Sequence, residues 1–261
     1  MTGPAHHRPA PDHRHGRLTA RPASTTTPGP AGPAAPAGPA VPTAPAVPTG
    51  PTGPTGPGEV PDPAGGPPAL RHVPAGGPGP YRLVLLLHGA GGSARQGLDL
   101  LLPLADAYRL LLLAPQASAS TWDLIAEGYG PDVARIDALL TGTFAAYPVD
   151  GVALGGFSDG ASYALSLGLT NGDLVDAVLA FSPGFAAPLV TRGRPRLFVS
   201  HGTDDRVLPV DMCSRRLVPR LHALGYPAEY AEFTGGHEVP AEIRQRAVDW
   251  LVGAAHRRTP T

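Results

Sequence analysis

The sequence contains no lysine, no net positive charge and only one cysteine, and the last two shortages each argue against a class of protein. All 20 basic residues are arginine, and they nearly balance the 21 acidic residues to leave a net charge of −1. A chain without a net positive charge has no overall field that would attract nucleic acid. One cysteine, Cys213, can form neither an intrachain disulfide nor a cysteine-based metal cluster.

Long apolar runs are also missing. No stretch approaches the ~18 consecutive apolar residues that a transmembrane helix requires. The first residues, MTGPAHHRPAPDHRHGRL, lack the apolar core of a secretory signal peptide. We therefore expect no membrane span and a cytoplasmic protein.

Proline and glycine are unevenly distributed. Of the 34 prolines, 22 precede residue 81, as do 14 of the 34 glycines. Such a segment has too few large apolar side chains to offset the entropy lost on ordering. The composition predicts a disordered Pro/Ala/Gly-rich tail over residues 1–69 and one folded domain over residues 70–254, which is long enough for a sizeable core.

Strand-like and helix-like patterns alternate through the folded part. Short apolar runs of strand length indicate strands buried on both faces, and apolar residues at helical spacing lie between them. The predicted strands span 81–87, 109–114, 151–157, 176–181, 196–200 and 228–233, and the predicted helices span 96–108, 131–147, 159–169, 211–224 and 239–252. This alternation predicts a mostly parallel sheet with helices on both faces, whose chemistry lies beyond the carboxyl ends of the strands.

One motif between a predicted strand and a predicted helix indicates nucleophilic catalysis. Gly156-Phe157-Ser158-Asp159-Gly160 fits the pattern G-x-S-x-G, in which the serine occupies a sharp strand-to-helix turn. Flanking glycines allow the close backbone approach that such a turn requires. We therefore predict that Ser158 is the nucleophile.

A serine hydroxyl needs a base, and the base needs an acid that orients it. In the fold that carries this motif the chain order is serine, acid, histidine. His237 follows the last predicted strand in a glycine-containing loop, so it is the predicted base. Asp204 and Asp205 both follow an earlier strand, and spacing alone does not separate them as candidates for the acid.

The negative charge that develops during acyl transfer requires backbone N–H donors. One donor is usually the residue after the nucleophile, here Asp159, and the other comes from a loop after an early strand. Residues 85–92 read LLLHGAGG, and their glycines would let the backbone approach a substrate. The sequence therefore predicts an oxyanion hole between this loop and Asp159.

Four motifs in one order give the chain a family resemblance. LLLHGAGG, GGFSDGASYALSLGL, FVSHGTDDRVLP and GGHEVP resemble the phospholipase/carboxylesterase branch of the α/β-hydrolases, which includes acyl-protein thioesterases and small bacterial esterases. The resemblance covers roughly residues 81–251. It implies a single α/β-hydrolase catalytic domain, the acid at Asp205, the histidine at His237 and oxyanion donors at Ala90 and Asp159.

The resemblance also concerns the substrate cleft. Trp122-Asp123 is similar to a W-x-D segment that borders the cleft in this family, so Trp122 is a candidate substrate-binding residue, with a core or loop position as the alternative. No segment is long enough to form a cap domain. We expect the two longest connections, 115–130 and 182–195, to form the walls of an open, shallow apolar groove.

Together these features predict a serine esterase that acts on carboxylic esters of short to medium acyl chains through an acyl-enzyme. No metal and no organic cofactor is implied, and the expected partner is a small-molecule ester. A thioesterase or lysophospholipase on the same site is the alternative, and a non-catalytic interaction protein with the hydrolase fold is the rival from another class. The oligomeric state stays open.

Overall fold

The computed structural model describes residues 13–19, 56–62, 65–77, 79–126 and 128–253. Within them an eight-stranded sheet has the strand order β1-β2-β4-β3-β5-β6-β7-β8. The strands are β1 (Gly56–Val60), β2 (Ala69–Val73), β3 (Tyr81–Leu87), β4 (Leu110–Ala114), β5 (Val149–Phe157), β6 (Ala177–Phe181), β7 (Arg196–Gly202) and β8 (Ala228–Phe233). From β4 to β8 all neighbouring strands are parallel, whereas β1 and β2 pair antiparallel at one edge.

Helices cover both faces of the sheet, as predicted. They are α1 (Ala94–Asp99), α2 (Leu102–Ala105), α3 (Asp123–Ala126), α4 (Pro131–Ala146), α5 (Asp159–Thr170), α6 (Ser214–Ala223) and α7 (Ala241–Gly253), and His13–His15 form a short 3₁₀ helix. Apolar residues of α4, α5 and α6 belong to one core cluster, and those of α1, α2 and α7 belong to the other. The fold is thus a three-layer α/β arrangement.

The central strands explain why both layers form. In β3, Leu83, Leu85 and Leu87 enter one core while Val84 and Leu86 enter the other. Successive side chains of a strand point to opposite faces, so a continuous apolar run requires cover on both sides. The burial of this run therefore holds β3 at the centre of the sheet.

The predicted helix at 96–108 is two short helices. Ser93 begins α1 with a capping box, in which its side chain accepts a hydrogen bond from the Gln96 backbone and the Gln96 side chain accepts one from the Ser93 backbone. Pro103 lies in the first turn of α2, the helical position that tolerates a residue without an N–H group. Pro103, which lies within the predicted helix, is therefore part of the first turn of a separate helix, α2.

Two parts of the predicted tail are ordered. Strand β1 pairs with β2 through five residue pairs, from Gly56–Val73 to Val60–Ala69. Residues 13–19 pack on the domain, with Leu18 only 5% exposed in the core cluster of α4 and α5. The expectation of a structureless segment up to residue 69 differs from the structure at these places, because edge pairing and a few polar anchors need little apolar sequence. Residues 61–62 and 65–69 of the predicted tail are also described, and the remainder of the tail lies outside the described residues.

Polar contacts hold residues 13–19 in place. Arg17 forms a bidentate pair with Asp173 at 3.1 and 3.0 Å. The N–H of Leu18 donates to the Asn171 side chain at 2.9 Å, and the N–H of Thr19 donates to Asp137 at 2.7 Å. Because these contacts reach α4 and the end of α5, the segment joins elements far away in the sequence.

We predict that this segment stabilises the domain. Deletion of residues 1–19 should lower the unfolding free energy by about 2–4 kcal/mol, since it removes one buried leucine and several hydrogen bonds. The expected fall in Tm, measured by calorimetry, is about 5–10 °C for a domain of this size. Leu18→Ala should reproduce part of the fall, whereas Leu224→Ala, at a leucine that is 62% exposed, should leave Tm nearly unchanged. An unchanged Tm in the deletion would contradict the packing role.

Among the described residues, no helix is both long and apolar enough to cross a membrane.

Candidate active site

Ser158 lies at the sharp turn between β5 and α5. Its backbone has φ 58° and ψ −120°, an uncommon conformation for a residue with a side chain. Its N–H donates to the carbonyl of Phe181 at the end of β6, over 2.9 Å. A Cβ on Gly160 would lie 2.2 Å from the carbonyl oxygen of Leu87, so only glycine fits there. The turn is therefore strained and held by its neighbours.

Three predicted side chains form one chain of hydrogen bonds. The hydroxyl of Ser158 and Nε2 of His237 are 2.9 Å apart, and Nδ1 of His237 lies 2.6 Å from Oδ2 of Asp205. Asp205 is buried and Ser158 is only 8% exposed. With the Nδ1 proton of His237 donated to Asp205, Nε2 is left to accept the serine proton.

Asp205 is held by more than one donor. Its Oδ1 accepts the backbone N–H groups of Val207 at 2.9 Å and Leu208 at 2.8 Å. Burial opposes ionisation, but the hydrogen bonds from His237, Leu208 and Val207 outweigh it and hold the pKa of Asp205 below its usual range. The group therefore stays a carboxylate at neutral pH.

Asp204 has a different environment. Its side chain is exposed, and its backbone N–H donates to the carbonyl of Gly235 at 2.9 Å. The geometry thus brings Asp205, and not Asp204, to His237. Spacing in the sequence could not distinguish the two neighbours.

His201 lies next to Asp205 and is a residue that the sequence analysis did not identify. It is fully buried, its Nε2 is 2.7 Å from the carbonyl of Leu208 and 3.3 Å from Oδ2 of Asp205, and its Nδ1 is 2.6 Å from the hydroxyl of Ser214. The Nε2–H therefore donates toward Leu208 and Asp205, and Nδ1 accepts from Ser214. His201 fixes the loop that carries the acid.

The two predicted oxyanion elements both lie beside Ser158. A Cβ on Gly89 would lie 3.3 Å from Cβ of Ser158, so the loop containing Ala90 packs against the serine. Asp159 is the first residue of α5, and N–H groups in a first helical turn have no partner within the helix. Its carboxylate accepts the hydroxyl of Thr121 at 2.6 Å, a contact that the sequence did not predict.

His88 holds the loop that contains Gly89 and Ala90. It is 1% exposed, its Nδ1 donates to the carbonyl of Gly89 at 2.7 Å, and its Nε2 accepts from the backbone N–H of Ala117 at 3.1 Å. Like His201, it stands directly before a glycine at the end of a parallel strand. That repeated His-Gly pair is a sequence signal that could have identified both supporting residues.

Trp122 does not line the cleft. It is fully buried, its ring stacks on Tyr163 at 5.3 Å between centroids, and its Nε1–H donates to the carbonyl of His88 at 2.8 Å. The prediction that Trp122 binds substrate is wrong, because an indole with no exposed surface cannot touch one. Trp122 is instead a core residue, which was the alternative interpretation, and its hydrogen bond holds the backbone of His88 in place.

The connections 115–130 and 182–195 do not form the shared groove that we expected. The first holds the buried Trp122 and the nearly buried Tyr129, so it contributes core rather than a wall. The second lines an apolar groove, but with α6 as the opposite wall. A smaller hollow of about 130 Å³ is lined by Phe157, which directly precedes Ser158, by Leu100, and by Ala90 and other residues of the glycine loop, residues 88–92.

We predict acid sensitivity from the two supporting histidines. Burial lowers the pKa of His88 and of His201 below 6.5. As pH falls through about 6.5 the unfolded chain binds protons that the folded chain does not, so stability declines with acidification. The unfolding free energy, measured with denaturant, should fall by at most about 1.4 kcal/mol per pH unit for each histidine. His201→Gln should make the decline shallower, and equal slopes in both proteins would contradict this origin.

Comparisons with known proteins agree with the fold and the motifs. Residues 134–251 match a family model described as phospholipase/carboxylesterase. No curated protein matches the sequence significantly. The matched residues include those that form the turn at Ser158, the acid loop and the loop of His237.

Solved structures extend the similarity to most of the chain. Esterase PE8 is 26% identical, with a TM-score of 0.58, over 70% of this chain and 96% of that protein. FphF, a fluorophosphonate-binding serine hydrolase of Staphylococcus aureus, is 15% identical with a TM-score of 0.58, over 75% of this chain and 97% of that one. Acyl-protein thioesterase 2 of Zea mays is 21% identical with a TM-score of 0.52, over 71% and 97%. The latter two show similarity of fold alone.

Proposed function

We propose that this serine hydrolase of the α/β-hydrolase superfamily cleaves carboxylic esters of short to medium acyl chains with Ser158, His237 and Asp205. The observation that carries the proposal is the unbroken hydrogen-bond chain from the Ser158 hydroxyl through His237 to Asp205, at 2.9 and 2.6 Å. These distances fall in the range in which a base accepts the proton of its nucleophile.

The reaction proceeds through two acyl transfers. Nε2 of His237 takes the hydroxyl proton while Oγ of Ser158 attacks the ester carbonyl, and the imidazolium returns that proton to the leaving alcohol. Water then attacks the acyl-serine with the same base and releases the acid. Asp205 holds the imidazole in the required tautomer and stabilises its cation, since its lowered pKa keeps it ionised.

The N–H groups of Ala90 and Asp159 stabilise the oxyanion in this proposal. Support comes from the packing of the glycine loop on Ser158 and from the position of Asp159 at the start of α5. The hydrogen bond from Thr121 draws the carboxylate of Asp159 to the 115–130 connection. Donors fixed before the reaction need no reorganisation when charge develops.

Substrate length follows from the hollow beside Ser158. Its volume of about 130 Å³ is well below the roughly 300–1,000 Å³ of pockets that enclose drug-sized ligands. We therefore predict that kcat/KM on p-nitrophenyl esters peaks at about four to eight acyl carbons, because further methylenes find no apolar wall. Continued improvement to sixteen carbons, or activation by micelles, would contradict this limit.

A matched pair of variants tests whether this hollow receives the acyl chain. Leu100 lines it and also borders a neighbouring surface hollow, which Leu104 lines together with Pro103 and Arg244. Leu100→Ala should shift the preferred chain by about one or two carbons, since it enlarges the hollow by roughly three carbon atoms. Leu104→Ala should leave the preferred length unchanged, and an equal shift in both variants would assign the acyl chain elsewhere.

The reaction class is tested with esters and thioesters of equal acyl chains. Labelling of Ser158 by a fluorophosphonate probe, located by peptide mass spectrometry, would identify the nucleophile directly. We expect p-nitrophenyl butanoate to be hydrolysed with a higher kcat/KM than the corresponding thioester. The reverse order would favour a thioesterase, and no labelling together with no turnover would favour a non-catalytic protein.

A further inference from the structure

A second concave surface lies between the 182–195 connection and α6. The groove has a volume of about 300 Å³. Its floor is apolar and comes from three elements, with Leu169 of α5, Leu221 of α6 and Tyr226 before β8, all of them at most 5% exposed. Phe185 and Met212 stand at its rim, where they are 38% and 58% exposed.

Exposed apolar side chains concentrate around this groove. In the part of the chain that the structure describes, six large hydrophobic residues are exposed. Phe185, Met212 and Leu224 line the groove, and Leu189 and Val190 belong to the connection that forms its wall. Contiguous exposed apolar surface on a soluble domain marks a binding surface more often than scattered residues do.

Two arginines give the groove a charge. Arg216 and Arg220 are exposed and line the groove one helical turn apart, and their guanidinium groups have no hydrogen bond or ion pair among the described residues. No acidic residue lines the groove, and the nearby Asp211 is paired with Arg215 at 2.8 Å. Like charges four residues apart weaken a helix.

The dipole of α6 does not explain the positive charge at the start of the helix. Arg216 lies in the first turn of α6, where the helix dipole disfavours a cation. A bound anion would remove both unfavourable interactions. The charge of Arg216 therefore suits an anionic ligand better than it suits the free helix, whereas Arg220 lies in the last turn of α6, where the dipole favours a cation.

We propose that the groove binds an anionic amphiphile, meaning one alkyl chain with a carboxylate or phosphate head. The chain lies on Leu217, Leu221 and Tyr226, and the head accepts hydrogen bonds from Arg216 and Arg220. Guanidinium groups bind both kinds of head with matched geometry. A second copy of this chain fits less well, because the same surface would meet itself in a two-fold contact and no acidic residue lines it to pair with the arginines.

Binding is tested by calorimetry with octanoate, decanoate and dodecanoate below their micelle concentrations, and with decyl phosphate and decanol. Each two added carbons should tighten binding several-fold, since every methylene buried in the groove adds affinity. Decanoate and decyl phosphate should bind at least about tenfold tighter than decanol, because decanol lacks the charge that the arginines bind. Equal affinity for decanol would overturn the role of the arginines.

Variants locate the site. Arg216→Gln combined with Arg220→Gln should weaken decanoate binding at least about tenfold, and Ala186→Trp should block the chain by filling the groove. Arg95→Gln is the matched control, since Arg95 is an exposed arginine of α1, which packs on the opposite face of the sheet. Unchanged affinity in both groove variants would overturn the proposal.

A final arm separates this groove from the candidate active site. The same titrations are repeated after fluorophosphonate has blocked the catalytic serine, and decanoate affinity should stay within about twofold. Loss of binding in the blocked protein would place the amphiphile beside Ser158 instead and overturn the proposal. Concentration-dependent dimers in sedimentation, abolished by Ala186→Trp and accompanied by no decanoate binding, would assign the groove to a second copy.

Discussion

Ser158→Ala is expected to lower kcat by about 10⁴-fold or more while the domain stays folded, since the members of a triad act as a unit. The alanine keeps the Cβ and removes only the hydroxyl that lies 2.9 Å from His237. The strained backbone at φ 58° is held by β5, α5 and the hydrogen bond to Phe181, so Tm should change by less than about 2 °C. Steady-state hydrolysis of p-nitrophenyl butanoate and a melting curve measure the two effects.

Two controls make this result specific. Ser118→Ala changes an exposed serine of the 115–130 connection and should retain full activity. Fluorophosphonate should label the wild type and Ser118→Ala but not Ser158→Ala. A Ser158→Ala protein that keeps a tenth of the wild-type rate would exclude Ser158 as the nucleophile.

The sheet could be predicted because its central strands carry their burial pattern in the sequence. Runs such as Leu83–Leu87 are apolar at every position, and only a strand covered on both faces buries every residue of such a short run. The turn at Ser158 was predictable for a similar reason, since Gly156 and Gly160 occupy positions where a Cβ would lie under 2.5 Å from the backbone. In both cases the residue type that the tertiary structure requires, an apolar side chain or a glycine, can be read directly in the local sequence.

Features that depend on distant partners could not be predicted. The antiparallel strand Ala69–Val73 exists because it pairs with β4, and its own sequence has no strand-length apolar run. Leu18 is buried because Asn171 binds its own N–H and Asp137 binds the N–H of Thr19, both more than 100 residues along the chain. Trp122 illustrates the same limit, since no local pattern distinguishes an indole stacked on Tyr163 from one that faces a substrate.

The neighbouring aspartates give the second large prediction. Asp205→Asn should lower kcat by about 10³–10⁴-fold, because an amide in place of Oδ2 cannot hold the Nδ1–H tautomer of His237. Val207 and Leu208 would still donate to the remaining oxygen, at the positions that now lie 2.9 and 2.8 Å away. The loop should therefore keep its shape, and the loss should appear in kcat rather than in KM.

Asp204→Asn is the matched control, and it should retain kcat within about threefold because this change leaves the hydrogen bonds around His237 intact. Its side chain is exposed and has no hydrogen bond to Ser158, His237 or Asp205, while the backbone N–H that binds Gly235 at 2.9 Å is untouched by the substitution. Both variants remove one negative charge from adjacent positions, so a general electrostatic effect would lower the two rates alike. A large loss only in Asp205→Asn therefore reports the hydrogen bond to His237, whereas equal losses or the reverse ranking would remove Asp205 from the proposed triad.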